Sequence, residues 1–264
     1  LRGWLQEANA STFLLSRLAE NTDPLHRVAT PLYGNVGALA ELLPQQKTRP
    51  AWSEQWQEAE RHSRSRIDGE LAQMDNLFEG KVAWLLSQVA PVGASVFLAN
   101  SMSVRYAESF WKPGNRAVSV YCNRGANGID GTLSTAMGVA HGGHPAICLT
   151  GDLAFLHDSN GLLAAKQLRG SLTVIVIQNG GGGIFEYLPV AQQEAVFESH
   201  FATPQAVDLA QLCQAHGVPH RKIEGWAQLT EALADLPASG LRVLELRTDR
   251  KVDVTTMRSL LGGG

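Results

Sequence analysis

Two apolar, β-branched runs each end in a side chain with a hard oxygen donor, and that pairing constrains the fold more than any other feature of the chain. The first is Ala146-Ile147-Cys148-Leu149-Thr150-Gly151-Asp152; the second is Leu172-Thr173-Val174-Ile175-Val176-Ile177-Gln178-Asn179. Runs this continuously apolar predict strands buried on both faces, the habit of parallel sheets. Between them, Asp158 or Ser159 can cap a helix carrying Leu162, Leu163, Ala165 and Leu168, with Gly170 as a stop signal. Strand, helix and strand form a right-handed βαβ unit. It delivers Asp152 and Asn179 together to the carboxyl edge of the sheet, where open α/β sheets bind ligands.

The alternation extends beyond this unit. Further strands are predicted over residues 96–100, 118–121 and 243–246. Ser101 would start a helix with Val104, Ala107 and Trp111 on one face. Asp208 can cap a helix with Leu209, Leu212 and Cys213, and Trp226, Leu229, Leu233 and Leu236 recur at helical spacing. The expected fold class is α/β, a mostly parallel sheet with helices on both faces. Before residue 82 the pattern differs. Trp4, Leu5, Leu14, Leu15 and Leu18 suggest an early amphipathic helix, broken by Pro31-Leu32-Tyr33-Gly34 and resumed over residues 36–43. Residues 44–50 read as a loop, and residues 53–68 as a solvated, charge-rich helix.

A carboxylate, an amide oxygen and a backbone carbonyl suit Mg²⁺, with Mn²⁺ an alternative, because these cations favour oxygen ligands shared with substrate phosphates. No thiolate or imidazole accompanies them, which disfavours zinc. The run Gly180-Gly181-Gly182-Gly183 lets the backbone approach a ligand closely and turn its N–H groups to a diphosphate. A net charge of −3 offers no broad basic surface for nucleic acid, so anionic ligands must be attracted by particular side chains. No apolar run reaches the roughly 18 residues needed to span a bilayer and no signal peptide is visible, so a cytoplasmic location is expected. The three cysteines, Cys122, Cys148 and Cys213, lack metal-ligand spacing and read as buried free thiols. His141 and His144 read as surface residues. His157, His200 and Asn127 carry no assigned role, and Glu186 reads as solvent-facing.

Asn100-Ser101-Met102-Ser103-Val104-Arg105, then Asn123-Arg124-Gly125-Ala126-Asn127-Gly128-Ile129-Asp130-Gly131, Gly151-Asp152-Leu153 and Asn179-Gly180-Gly181-Gly182-Gly183-Ile184-Phe185 carry a specific likeness. The set resembles thiamine-diphosphate enzymes and, within them, the 2-succinyl-5-enolpyruvyl-6-hydroxy-3-cyclohexene-1-carboxylate synthases. Leu153 and Gln178 depart from the glycine and asparagine usual in the general signature. The likeness is strong over residues 100–189, looser to about residue 246 and weak before residue 82.

The resemblance implies thiamine-diphosphate-dependent decarboxylation of 2-oxoglutarate and transfer of the succinyl carbanion equivalent to isochorismate, on the way to menaquinone or phylloquinone. It implies that Asp152, Asn179 and the Gly181 carbonyl hold Mg²⁺, and that Gly151, Leu153 and Gly182 meet the cofactor. Ile184 would support the cofactor's bent shape, Ser101, Arg105 and Arg124 would meet substrate carboxylates, and Leu188 would wall the substrate. Arginines suit this task, since a guanidinium grips a carboxylate bidentately.

The family's activating glutamate comes from an N-terminal pyrimidine-binding domain, usually of another subunit, and no residue here matches it. A homodimer or homotetramer is therefore expected. Residues 1–81 would be the end of a middle domain and linker, residues 82–250 the diphosphate- and metal-binding domain, and residues 251–264 a tail. The chain reads as a C-terminal fragment, inactive alone. Two other readings stand beside this one: another thiamine-diphosphate enzyme of the 2-oxoacid decarboxylase or acetolactate synthase kind, which would need fewer cations than Arg105 and Arg124 supply, and a non-catalytic α/β binding module. Against a dinucleotide module, no Gly-x-Gly-x-x-Gly follows the first strand.

Overall fold

The computed structural model describes residues 2–8, 10–18, 23, 29–43 and 50–262. Two compact units divide the chain, Leu1–His62 and Ser63–Gly264. In the first, helix α1 (Arg2–Glu7) precedes strands β1 (Thr12–Ser16) and β2 (Ala29–Tyr33), which pair in parallel with Thr12 opposite Ala29. The expected early helix therefore ends before Leu14 and Leu15, which lie in β1, and the expected break at Pro31 is part of β2. A two-stranded sheet leaves each strand one open edge, where a proline's missing N–H costs no ladder bond. Helix α2 (Val36–Leu42) matches the resumed pattern, capped by Asn35, whose Oδ1 accepts the Ala38 N–H at 3.0 Å. Of the loop expected over residues 44–50, residues 44–49 lie outside the described residues, and Pro50 opens helix α3 (Pro50–Gln73).

The second unit is built on six strands: β3 (Ser95–Leu98), β4 (Ser119–Cys122), β5 (Ala146–Gly151), β6 (Ser171–Gln178), β7 (His220–Ile223) and β8 (Gly240–Arg247). Their order is β4-β3-β5-β6-β8-β7, with every pair parallel. Both faces are covered, as continuous apolar strands require. Ile147, Leu149, Ile175 and Ile177 pack on one side with Val82, Leu86, Tyr106 and Leu260. Ala146, Cys148, Leu172, Val174 and Val176 pack on the other with Leu133, Ala136, Phe155 and Cys213. Successive residues thus alternate between two cores. β7 was not anticipated: it is an edge strand in which only Ile223 is buried.

Helices α4 (Glu79–Val89), α5 (Met102–Phe110), α6 (Thr132–His141), α7 (Asp152–His157), α8 (Glu194–Phe197), α9 (Leu209–Ala215), α10 (Trp226–Ala234) and α11 (Arg250–Gly262) complete the unit. Asp208 caps α9 as expected, accepting the N–H groups of Ala210 and Gln211. Asp158 does not cap the Leu162 segment. That segment, Ser159–Gln167, is 3-10 and leaves Leu163 exposed. Asp158 instead accepts from the N–H and hydroxyl of Ser134 at the start of α6, whose own cap position, Gly131, has no side chain to offer. Of the three free thiols, Cys148 and Cys213 are buried, but Cys122 lies exposed on edge strand β4. Residues 251–262, read as tail, lie in α11 with Asp253, Val254 and Leu260 buried. Among the described residues no helix is long and apolar enough to cross a membrane.

Gly170 shows a second reason for a glycine at a helix stop. A β-carbon there would lie 1.9 Å from the Ala140 carbonyl oxygen. Gly170→Ala is expected to lower stability by about 3 kcal/mol, seen as a lower denaturant midpoint; an unchanged midpoint would show that the α6 end yields freely.

Candidate functional site

β5 and β6 run in register to their carboxyl ends, Gly151 opposite Ile177, so the residues that follow them are neighbours. Asp152 is buried. Its Oδ2 accepts the N–H groups of Gly180 (3.1 Å) and Gly181 (3.0 Å), and its Oδ1 that of Leu153 (2.7 Å). Burial raises its pKa above the ordinary aspartate value, while these N–H groups pull it back. Asn179 Oδ1 accepts the Gly181 N–H at 3.1 Å, and its Nδ2 donates to Glu79 Oε1 at 2.5 Å.

The glycine turn is tightly specified. Gly181 has φ +125°, and a β-carbon on it would lie 2.1 Å from the Ala202 carbonyl oxygen. Arg250, at the start of α11, donates to the Gly180 carbonyl (2.9 Å), to Glu186 (2.7 Å) and to Glu198. Glu186, expected to face solvent, has a side chain only 9% exposed and serves as this arginine's partner. A buried guanidinium needs such acceptors.

A second group of polar side chains lines the same cavity, whose volume is about 410 Å³. Arg124 Nη1 donates to Asn100 Oδ1 at 2.8 Å, and Asn100 Nδ2 donates to the Gly128 carbonyl at 2.6 Å. Arg105 Nη1 donates to the Ser101 carbonyl at 2.6 Å. Ser101 precedes α5 with φ +66°, a strained value for a residue with a side chain. The cavity brings together Ser101, Arg105, Arg124, Gly151, Asp152, Leu153, Asn179, Gly181, Gly182 and Ile184.

Leu188 is not among its lining residues and is 48% exposed. Asn127 lines it, whereas His157 pairs with Asp130 and His200 with Ser199. Sequence reading missed Glu79, which lines the cavity while lying 6% exposed at the start of α4. Its available signal was an acid three residues before the apolar run Val82-Ala83-Trp84-Leu85-Leu86. Burial, followed by the charge of nearby Asp253, holds the Glu79 carboxyl well above the usual range; burial pushes Asp253 up to about 6.

The donor set of Asp152, Asn179 and glycine backbone is all oxygen, with peptide N–H groups beside it. It fits a hard divalent cation with a diphosphate. Two cationic side chains lining the same cavity, Arg105 and Arg124, could meet carboxylates.

Comparison with known proteins agrees with this chemistry. The family model described as thiamine pyrophosphate enzyme, C-terminal TPP binding domain, matches residues 101–246. A 2-succinyl-5-enolpyruvyl-6-hydroxy-3-cyclohexene-1-carboxylate synthase of Synechococcus sp. (strain JA-3-3Ab) is 51% identical over 254 residues, covering 96% of this chain and 42% of that protein. The synthase of Rippkaea orientalis is 45% identical over 265 residues, covering 99% and 45%. The likeness read from the motifs thus also extends before residue 82, and the chain spans less than half the length of either relative. The crystal structure of benzoylformate decarboxylase from Polynucleobacter necessarius superposes with a TM-score of 0.51 at 20% identity, over 65% of this chain and 33% of that one, a likeness of fold alone. With its glycine turn and more than half its length inside the matched residues, this chain belongs to the family of thiamine pyrophosphate enzyme C-terminal TPP-binding domains.

Proposed function

We propose that the chain is the diphosphate- and metal-binding part of a 2-succinyl-5-enolpyruvyl-6-hydroxy-3-cyclohexene-1-carboxylate synthase, using 2-oxoglutarate and isochorismate. One observation carries the reading: Arg105 and Arg124 share a cavity with Asp152 and Asn179. Asp152, Asn179 and the Gly181 carbonyl hold Mg²⁺, or Mn²⁺ in its place, and the glycine turn with Gly151 and Leu153 receives the diphosphate. Bound there, thiamine diphosphate supplies an electron sink for decarboxylation. Ile184, which lines the cavity, supports its shape.

Ser101, Arg105 and Arg124 orient dicarboxylates. Both substrates carry two carboxylates, and two guanidiniums in fixed positions favour them over a monocarboxylate such as pyruvate. In this reading residues 1–81 close a middle domain and linker, residues 82–250 form the binding domain, and residues 251–264 end the chain. A pyrimidine-binding domain contributes the activating glutamate, within a homodimer or homotetramer of the cytoplasm. The product feeds menaquinone or phylloquinone synthesis.

In the enzyme completed by that domain, Arg124→Ala is expected to leave thiamine diphosphate binding near normal. It should lower kcat/KM for the dicarboxylate by about 1.5–3 kcal/mol, the worth of a charged hydrogen bond. Unchanged kcat/KM would reject the assignment. Loss of cofactor binding would instead place Arg124 in the scaffold through Asn100.

A further inference from the structure

We propose that Glu79 is a positioning residue for the metal: it takes the side-chain N–H of Asn179 and so turns the amide oxygen toward the cation. The inference rests on the metal reading above and adds a residue to it. An asparagine amide has two ends of nearly equal size and shape, but only the oxygen can ligate a hard cation. Something must decide which end faces the site.

Two neighbours decide it together. The Gly181 backbone N–H, 3.1 Å from Oδ1, can only donate, so the end it faces must be oxygen. Glu79 Oε1, 2.5 Å from Nδ2, meets the other end and accepts from it. Rotating the amide by half a turn would set N–H against N–H and oxygen against oxygen, leaving buried groups unpaired. Either neighbour favours the observed orientation, and Glu79 is the one supplied by a side chain that mutation can change.

Glu79 is itself held in place. It opens α4, where its backbone N–H donates to Asp253 Oδ1 of α11 at 3.4 Å. An acid only 6% exposed is an expensive choice for filling space. Its acceptor oxygen gives the position a purpose that an apolar side chain lacks. Partners that orient metal ligands in this way commonly govern affinity without touching the ion.

Holding Asn179 Nδ2 takes an acceptor oxygen, which a carboxylate, a carboxylic acid and a primary amide all possess. Glutamine should therefore substitute for Glu79, and leucine should not. The test uses the full 264-residue chain with Mn²⁺ as the probe, free ion being counted by its electron paramagnetic resonance signal in the presence of thiamine diphosphate. Glu79→Gln is expected to bind within about threefold of the unsubstituted chain, and Glu79→Leu to bind at least about tenfold more weakly. Circular dichroism confirms that each variant is folded.

Glu79→Met keeps the question decidable if Glu79→Leu does not fold: its unbranched side chain is close to glutamate in length, carries no oxygen and should also bind Mn²⁺ at least about tenfold more weakly. Either apolar variant binding as well as Glu79→Gln, or Glu79→Gln binding as weakly as they do, would overturn the proposal. Asp152→Ala is the separate control. Uptake that survives in Asp152→Ala, or is absent from the unsubstituted chain both alone and when completed by the pyrimidine-binding domain, would count against the metal reading itself.

Discussion

Replacing Asp152 with alanine is expected to abolish metal-dependent binding of thiamine diphosphate. Calorimetric titration should show heat for the unsubstituted chain with Mg²⁺, none after a chelator is added, and none for the variant. Two losses combine. The proposed cation loses a charged oxygen ligand, and the Gly180 and Gly181 N–H groups lose the carboxylate oxygen they share at 3.1 and 3.0 Å. Gly181 keeps Asn179 Oδ1 at 3.1 Å, but the half-buried Gly180 N–H loses its acceptor, at a cost of about 1–3 kcal/mol, enough to loosen the turn even without metal. A fall of about 4 kcal/mol in binding, close to a thousandfold in Kd, is expected. Normal affinity in Asp152→Ala would remove the central claim about this site.

Gly181→Ala should be the most damaging of the conservative substitutions at the turn. Its φ of +125° is costly for any residue with a β-carbon, and the added methyl would lie 2.1 Å from the Ala202 carbonyl oxygen. That carbonyl cannot withdraw freely, because it accepts the Gly182 N–H at 2.7 Å. Strain and overlap together are expected to cost about 3 kcal/mol or more of stability. The variant should also show no detectable metal-dependent cofactor binding, since Gly181 contributes both an N–H to Asp152 and a proposed ligand carbonyl. Gly151→Ala is the matched comparison: its φ of −86° is ordinary and nothing stands within 4 Å of the added carbon. If both variants unfold at the same midpoint, the turn is not specified in the way described.

These two positions were legible in the sequence because their signals are local. A strand buried on both faces declares itself by unbroken apolar residues, and β5 and β6 do so up to the point where Asp152 and Asn179 begin. β7 could not be found in this way: an edge strand with one buried residue, written His220-Arg221-Lys222-Ile223, resembles a polar connection. The β1 segment misled because a short leucine-rich run satisfies helical and extended patterns equally well, and β2 because its Pro31 reads as a break unless the strand has an open edge. Asp158 was recognised as a cap, but the helix it serves lies elsewhere in the chain. Glu186 looked solvent-facing because its partner, Arg250, lies 64 positions away. Glu79 left no motif because its meaning depends on Asn179, 100 positions away. Sequence pattern reports what a segment does with its neighbours and is silent on contacts made across the chain.

The hydrogen bonds that fix the glycine turn have a consequence for the order of assembly. Asn179 is tied to Glu79 across 100 positions, and Gly180 to Arg250 across 70. The two supporting residues therefore come from near the opposite ends of the Ser63–Gly264 unit. Closing such long loops delays contact formation, so local strand pairing can precede the fastening of this turn. A nascent polypeptide whose synthesis has passed Asn179 but not reached Arg250 already has both strand ends and lacks one of their fasteners. Completion of the turn is thus a late event, and ligand uptake would report a finished chain rather than a half-built sheet.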